Sequence, residues 1–126
     1  NRHRWHYPEL KANLADPKSN QSIVLYALSQ RLKLRAQQPA FHPNATQFTL
    51  QLDDRIFGLW RQSLDRSQSI FALHNVSADT ITLPTSALNL IEDEDWVDLL
   101  NDEPLVAGEG DFTLAPYQCR WITNLT

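Results

Sequence analysis

The sequence contains one cysteine, Cys119, which excludes an internal disulfide and any cystine-stapled fold. Glycine is scarce, with 3 in 126 residues. Neither the Walker nor the dinucleotide-binding glycine pattern can be written, so nucleotide binding by those routes is excluded. No apolar run approaches the roughly 20 residues that cross a bilayer, and no signal-peptide pattern opens the chain. Methionine is absent and the first residue is Asn1, so the sequence reads as a piece whose natural start lies elsewhere. A basic surplus is missing too. The 11 Lys and Arg are scattered against 15 Asp and Glu, a net charge of -4, which argues against a nucleic-acid footprint. What is present is 42% hydrophobic and 21% charged residues in 14.5 kDa. That is the composition of one globular domain, able to bury roughly two thirds of its unfolded surface.

The pattern along the chain changes once. Asn1 to Pro17 is polar and mixed, punctuated by Pro8 and Pro17. The spacing then predicts a helix from about Ser19, an N-cap type, to about Gln38, stopped by Pro39. Ile23, Val24, Leu25, Tyr26, Ala27, Leu28, Leu32 and Leu34 make its first turns apolar nearly all round. A one-faced surface helix shows a stripe instead, so this helix is expected to lie between two layers. Beyond Pro39 to Pro43 the period becomes two. Gln47 to Leu52 and Ile56 to Gln62 read as a hairpin. Ser69 to Val76 is apolar on both faces and reads as a central strand covered twice. Thr80 to Leu83, Leu88 to Leu90, Val97 to Leu100, Phe112 to Leu114 and Tyr117 to Thr123 complete a series of short strands. The expected fold class is mainly β, an antiparallel β-sandwich preceded by one long α-helix, with residues 1–39 and 40–126 as separate regions. The sandwich covers one side of the helix, and the other side wants a neighbour that the chain does not supply.

Each chemistry-bearing cluster has a plainer reading beside it. Glu92, Asp93, Glu94, Asp95 and Asp98 suggest calcium or paired carboxylates. Counted from Asp93, however, the EF-hand glycine and glutamate positions hold Asp98 and Pro104, and five acids in seven residues read as a solvated turn. His3 and His6 lack the companions of a zinc set. His74 reads as a structural histidine, because no spacing pairs it with Cys119 or a serine. Cys119 alternates with Tyr117 and Trp121 and reads as a buried thiol. Trp5, Trp60, Trp96 and Trp121 raise sugar stacking. Trp60 and Trp121 sit inside strand patterns where burial is commoner, and Trp96 is the one expected in solvent. Asn20, Asn44, Asn75 and Asn124 each open an Asn-x-Ser/Thr triplet, more than chance supplies, which keeps a secreted adhesion-type sandwich open. An independent carbohydrate-binding module stays open as well.

Several blocks resemble a known family. They are Gln68-Ser69-Ile70-Phe71-Ala72-Leu73-His74-Asn75-Val76, then Leu88-Asn89-Leu90, Trp96-Val97-Asp98-Leu99-Leu100 and Leu114-Ala115-Pro116-Tyr117-Gln118-Cys119-Arg120-Trp121. In this order they look like the C-terminal region of sucrose phosphorylase-like enzymes of the alpha-amylase superfamily (glycoside hydrolase family 13). Arg35, Ala40-Phe41-His42-Pro43-Asn44-Ala45 and Phe57-Gly58-Leu59-Trp60-Arg61 are similar to the segment that leads into that region. The resemblance implies the last helix of a (β/α)8 barrel followed by the superfamily's C-terminal β-sandwich. It implies a parent enzyme that transfers glucosyl units with retention, from an alpha-glucoside to phosphate or water. The nucleophilic Asp, the acid/base Glu and the stabilising Asp of such enzymes lie upstream, so no catalytic residue, cofactor or metal site is expected here. The implied partner is the catalytic barrel of the same polypeptide, with a possible dimer and a cytoplasmic location. Arg2 matches a loop at the barrel mouth and is the one implied substrate-bordering residue.

Overall fold

The computed structural model describes residues 3–124. Its division into two compact units falls between Gln37 and Gln38. The first unit is a pair of helices, α1 (Tyr7–Ala15) and α2 (Asn20–Ala36), which contact each other. Ser19 caps α2 as its spacing predicts. Its hydroxyl accepts the Ser22 N–H at 3.1 Å and donates to the Asn13 carbonyl at the end of α1. Lys33 and Arg35 lie in the last turn of α2, where the dipole favours cations. The helix expected from Ser19 is thus present as α2, and a second helix, α1, precedes it. Pro8 occupies the first turn of α1, where its missing N–H costs nothing, so what reads as punctuation is a helix start. No residue of α1 is buried, which is why it leaves no periodic signal.

The second unit carries eight strands: β1 (Thr46–Leu50), β2 (Ile56–Gln62), β3 (Ser69–Asn75), β4 (Ile81–Pro84), β5 (Trp96–Asp98), β6 (Glu103–Leu105), β7 (Asp111–Leu114) and β8 (Cys119–Asn124). Six form one sheet in the order β1-β2-β3-β8-β5-β6, and β4 with β7 forms a second. Every pairing is antiparallel. The predicted β1–β2 hairpin and the doubly covered central strand are both present, with Ile70, Phe71, Ala72 and Leu73 all buried on β3. The inner faces of the sheets enclose the core of Ile56, Phe71, Leu73, Ile81, Leu83, Leu88, Trp96, Phe112, Leu114 and Ile122. On the opposite face of the large sheet, a short 3-10 turn, Pro39–Phe41, lays Phe41 edge-on to Trp121 with centroids 4.8 Å apart. Gln68 Oε1 and Arg61 Nε bind the two backbone groups of Ala40 there, at 3.0 and 2.9 Å.

One expected strand is absent, and one strand that the sequence does not announce is present. Leu88 to Leu90 does not pair. It follows a 3-10 turn at Thr85–Ala87, and Leu88 reaches the core from a loop. β6 went unread because it holds Pro104, which is tolerated here at the edge of the sheet. Among the described residues no helix is long and apolar enough to cross a membrane.

Candidate functional site

Asp98 is the residue whose reading changes most. Sequence places it in a solvated acidic turn, yet its side chain has no exposed surface. Glu92, Asp93 and Asp95 do face solvent. Asp98 lies two residues beyond Trp96, on the core side of β5, so strand alternation carries it inward. Arg120 comes to meet it from β8. Its Nε donates to Asp98 Oδ2 at 2.7 Å, Nη1 donates to the Thr113 carbonyl on β7 at 2.9 Å, and Nη2 donates to the Glu103 carboxylate on β6. Asp98 also accepts the backbone N–H of Leu100 and of Trp121, each at 3.0 Å, and the Asn101 side-chain amide. One guanidinium thus ties both sheets together. A buried charge is tolerated only when paired and hydrogen-bonded, and the Asp98 carboxylate accepts from four donors. The signal available in sequence was the alternation Trp96/Asp98 opposite Arg120/Ile122.

The remaining carboxylates do local work. The Arg55 guanidinium and then the Arg55 N–H hold Asp53 down to about 2. The Ser63 hydroxyl, followed by the Ser67 N–H and hydroxyl, holds Asp65 down to about 2. Two open grooves of similar size lie beside acidic residues. One of about 510 Å³ runs along the β1–β2 hairpin past Asp53, Asp54 and Phe57. One of about 500 Å³ lies beside β6 and β7, past Glu103, Glu109 and Asp111. General acid catalysis needs a carboxyl whose pKa is raised toward neutrality. Asp53 is shifted the other way, and the desolvated Asp98 has its oxygens occupied by four donors.

His74 and Cys119 are register partners across β3 and β8, with Nδ1 and Sγ 3.1 Å apart. The thiol is half-buried rather than buried. Tyr117 does not share its strand face, because it sits in the preceding turn with φ 58°. His3 packs edge-on against Trp5, with centroids 4.7 Å apart. Among the described residues no group of three or more His, Cys, Asp or Glu is arranged to hold a metal ion. Arg2 lies outside the described residues.

Trp60, Trp96 and Trp121 serve packing, whereas Trp5 is exposed. Trp96, expected in solvent, is buried and donates its indole N–H to the Ile91 carbonyl at 3.0 Å. Trp60 stacks on Phe71 at 5.7 Å and 10°. Trp121 is buried against Phe41. Two triplet asparagines are structural too. Asn75 is buried, donates to the Asp79 and Ala115 carbonyls at 2.6 and 2.9 Å, and accepts from Ser77 N–H and hydroxyl. Asn124 is buried and bridges Ser67 and Ser69. Neither has room for a glycan.

Among the described residues, α2 carries the longest consecutive run of exposed large apolar side chains. Ile23, Val24, Leu25, Tyr26, Leu28 and Leu32 are each between 51% and 68% exposed, and no residue of the helix is buried. Residues 23–26 are consecutive and so span a full helical turn. The uncovered apolar surface therefore lies on opposite sides, not on one stripe.

No family model matches the sequence. The chain is 31% identical over 124 residues to the glucosylglycerate phosphorylase of Allomeiothermus silvanus, an alignment covering 98% of the chain and 19% of that protein. It spans about a fifth of the length of the curated relatives it matches. Among solved structures, AmyP in complex with maltose superposes with a TM-score of 0.71 at 23% identity, over 84% of this chain and 22% of that one. The alpha-amylase of Geobacillus thermoleovorans superposes with a TM-score of 0.69 at 18% identity, over 88% and 24%. In fold the chain is thus an alpha-amylase-type C-terminal β-sandwich preceded by two helices, and in sequence it resembles the C-terminal region of sucrose phosphorylase-like enzymes of the alpha-amylase superfamily.

Proposed function

We propose that the chain is the C-terminal accessory region of a retaining glucosyl-transferring enzyme. In this reading it packs on a catalytic barrel, stabilises it and supplies no catalytic carboxylate. The observation that supports this best is the contrast between the parts. The β unit has a closed core and a buried Asp98–Arg120 ion pair, whereas α2 is apolar on opposite sides with nothing buried. A helix of this kind is stable when neighbours flank it on both sides. The parent reaction is glucosyl transfer between an alpha-glucoside and phosphate or water, with glucosylglycerate the substrate that the relatives' names favour. Arg2 then borders the substrate site from the barrel mouth.

The test is made on the full-length protein. Phosphorolysis and hydrolysis are assayed with glucosylglycerate, sucrose and maltooligosaccharides, before and after substitution of acids upstream of Asn1. Loss of activity from upstream acids alone, with turnover intact in Asp53→Asn and Asp111→Asn, agrees with an accessory role. Millimolar or tighter sugar binding by the β unit itself, read by calorimetry, would instead make it a carbohydrate-binding module.

A further inference from the structure

The pairing of β3 with β8 sets a nucleophile beside a base. His74 and Cys119 face each other in register, with Nδ1 and Sγ 3.1 Å apart. Their chain neighbours Leu73 and Arg120 turn to the core side, so strand alternation places His74 and Cys119 on the outer face of the large sheet. Both are half-buried. Phe57 continues the same row on β2, and its ring lies 5.9 Å from the imidazole at 35°. The imidazole is thus flanked by an aromatic ring from one strand and a thiol from the other, with its position set by the sheet and not by a loop.

Buried polar groups that serve the fold have a different look here. Asn75 and Asn124 each bond to backbone groups of other segments. The His74–Cys119 contact instead joins two side chains on strands already paired over five residues, on a partly exposed face. Structural cysteines are buried and inert, whereas reactive ones sit at partly exposed sites beside a basic or cationic group. A thiol attacks best when a base within hydrogen-bond reach takes its proton. Arg120, next in sequence, does not act on this sulfur, because its guanidinium lies on the core side, bound to Asp98 and Glu103. The fold supplies the base from 45 positions away.

We propose that His74 and Cys119 form a thiol-modification site for low-molecular-weight disulfides. The Cys119 sulfur attacks one sulfur of the small disulfide while His74 Nδ1 takes the thiol proton. One S–S bond forms to Cys119 and the S–S bond of the reagent breaks. The departing thiolate collects the proton from the imidazolium and leaves as a thiol, so Cys119 is oxidised to a mixed disulfide and half of the reagent is reduced. Cys119 is the only cysteine of the sequence. No second thiol of this chain resolves the product, and reversal takes an external thiol. The inference rests on the β unit alone, so its failure leaves the accessory reading untouched.

The test treats the intact protein with 2-hydroxyethyl disulfide, a neutral reagent that surface charge neither attracts nor repels. Mixed disulfide at Cys119 is followed by mass spectrometry of the peptide that carries it. The reference is a synthetic peptide of residues 115–123, which keeps the local sequence and lacks His74. The native protein should react faster than the peptide by about tenfold or more, and a smaller ratio overturns the site. This comparison needs no variant, so it decides the matter even if a substitution fails to fold. His74→Gln removes the base and keeps a polar side chain. With an unchanged melting temperature, its rate should drop to within about twofold of the peptide's or below. A folded His74→Gln protein that stays faster than that shows the imidazole to be a bystander.

Discussion

At the residue scale, the ion pair of Asp98 and Arg120 is the most consequential single feature. Removing one partner leaves the other charged, buried and unmatched, so Asp98→Ala or Arg120→Ala is expected to cost about 3–5 kcal/mol. Replacing both by apolar residues of similar volume should be far milder, and equilibrium urea unfolding of the three variants checks the ordering. Trp121→Ala, at a buried site, should cost about 3–5 kcal/mol by cavity formation with little change in turnover of the intact protein. A fully folded Trp121 variant that has lost turnover would contradict a purely structural role. The turn acids give a pH signature. Asp53 and Asp65 are lowered from 3.8 to about 2, so each binds its proton more weakly folded than unfolded. Their stabilising effect is therefore complete above about pH 4 and is lost as the pH falls through 2. Asp53→Asn and Asp65→Asn should flatten the acid-unfolding profile in that window, and identical profiles would show that the turns do not contribute.

At the element scale, α2 separates helix formation from helix placement. Ser19 supplies the cap, and Ser19→Ala should cost about 1 kcal/mol, visible as a lower melting temperature. Covering the remaining exposed surface of Ile23, Val24, Leu25, Tyr26, Leu28 and Leu32 is worth on the order of 1 kcal/mol for each side chain. Charged replacements at Val24, Leu25 and Leu28 should accordingly destabilise the intact protein while leaving helicity of the segment unchanged by circular dichroism. The strands show the limits of period-two reading. β1, β2, β3 and β8 are long enough to be read from the sequence. β6, with three residues and a proline, carries no such pattern, and α1 buries nothing and so has no face to reveal.

At the scale of the whole molecule, the β unit encloses a core between two sheets, and the helical unit does not. Stability of the β unit is thus a property of residues 38–126, whereas the helices depend on what lies beside them. On the accessory-region proposal, deletion of the β unit exposes the catalytic portion to aggregation before it alters the chemical step. The check is a kcat within about twofold for whatever fraction remains soluble.

Local order followed from sequence because it rests on local physics. The Ser19 cap, the stop at Pro39, the β1–β2 hairpin and the doubly apolar β3 are each written in residues a few positions apart, where backbone sterics and side-chain period decide the outcome. The apolar circumference of α2 was legible for the same reason. What only the tertiary structure decided depends on pairs far apart in the chain. The meeting of Asp98 with Arg120, of His74 with Cys119, and the burial of Trp96, Asn75 and Asn124 follow from strand order, which brings residues 22 to 57 positions apart to within hydrogen-bonding distance. A sequence records which groups need partners, and the packing of one sheet against another determines which partners they receive.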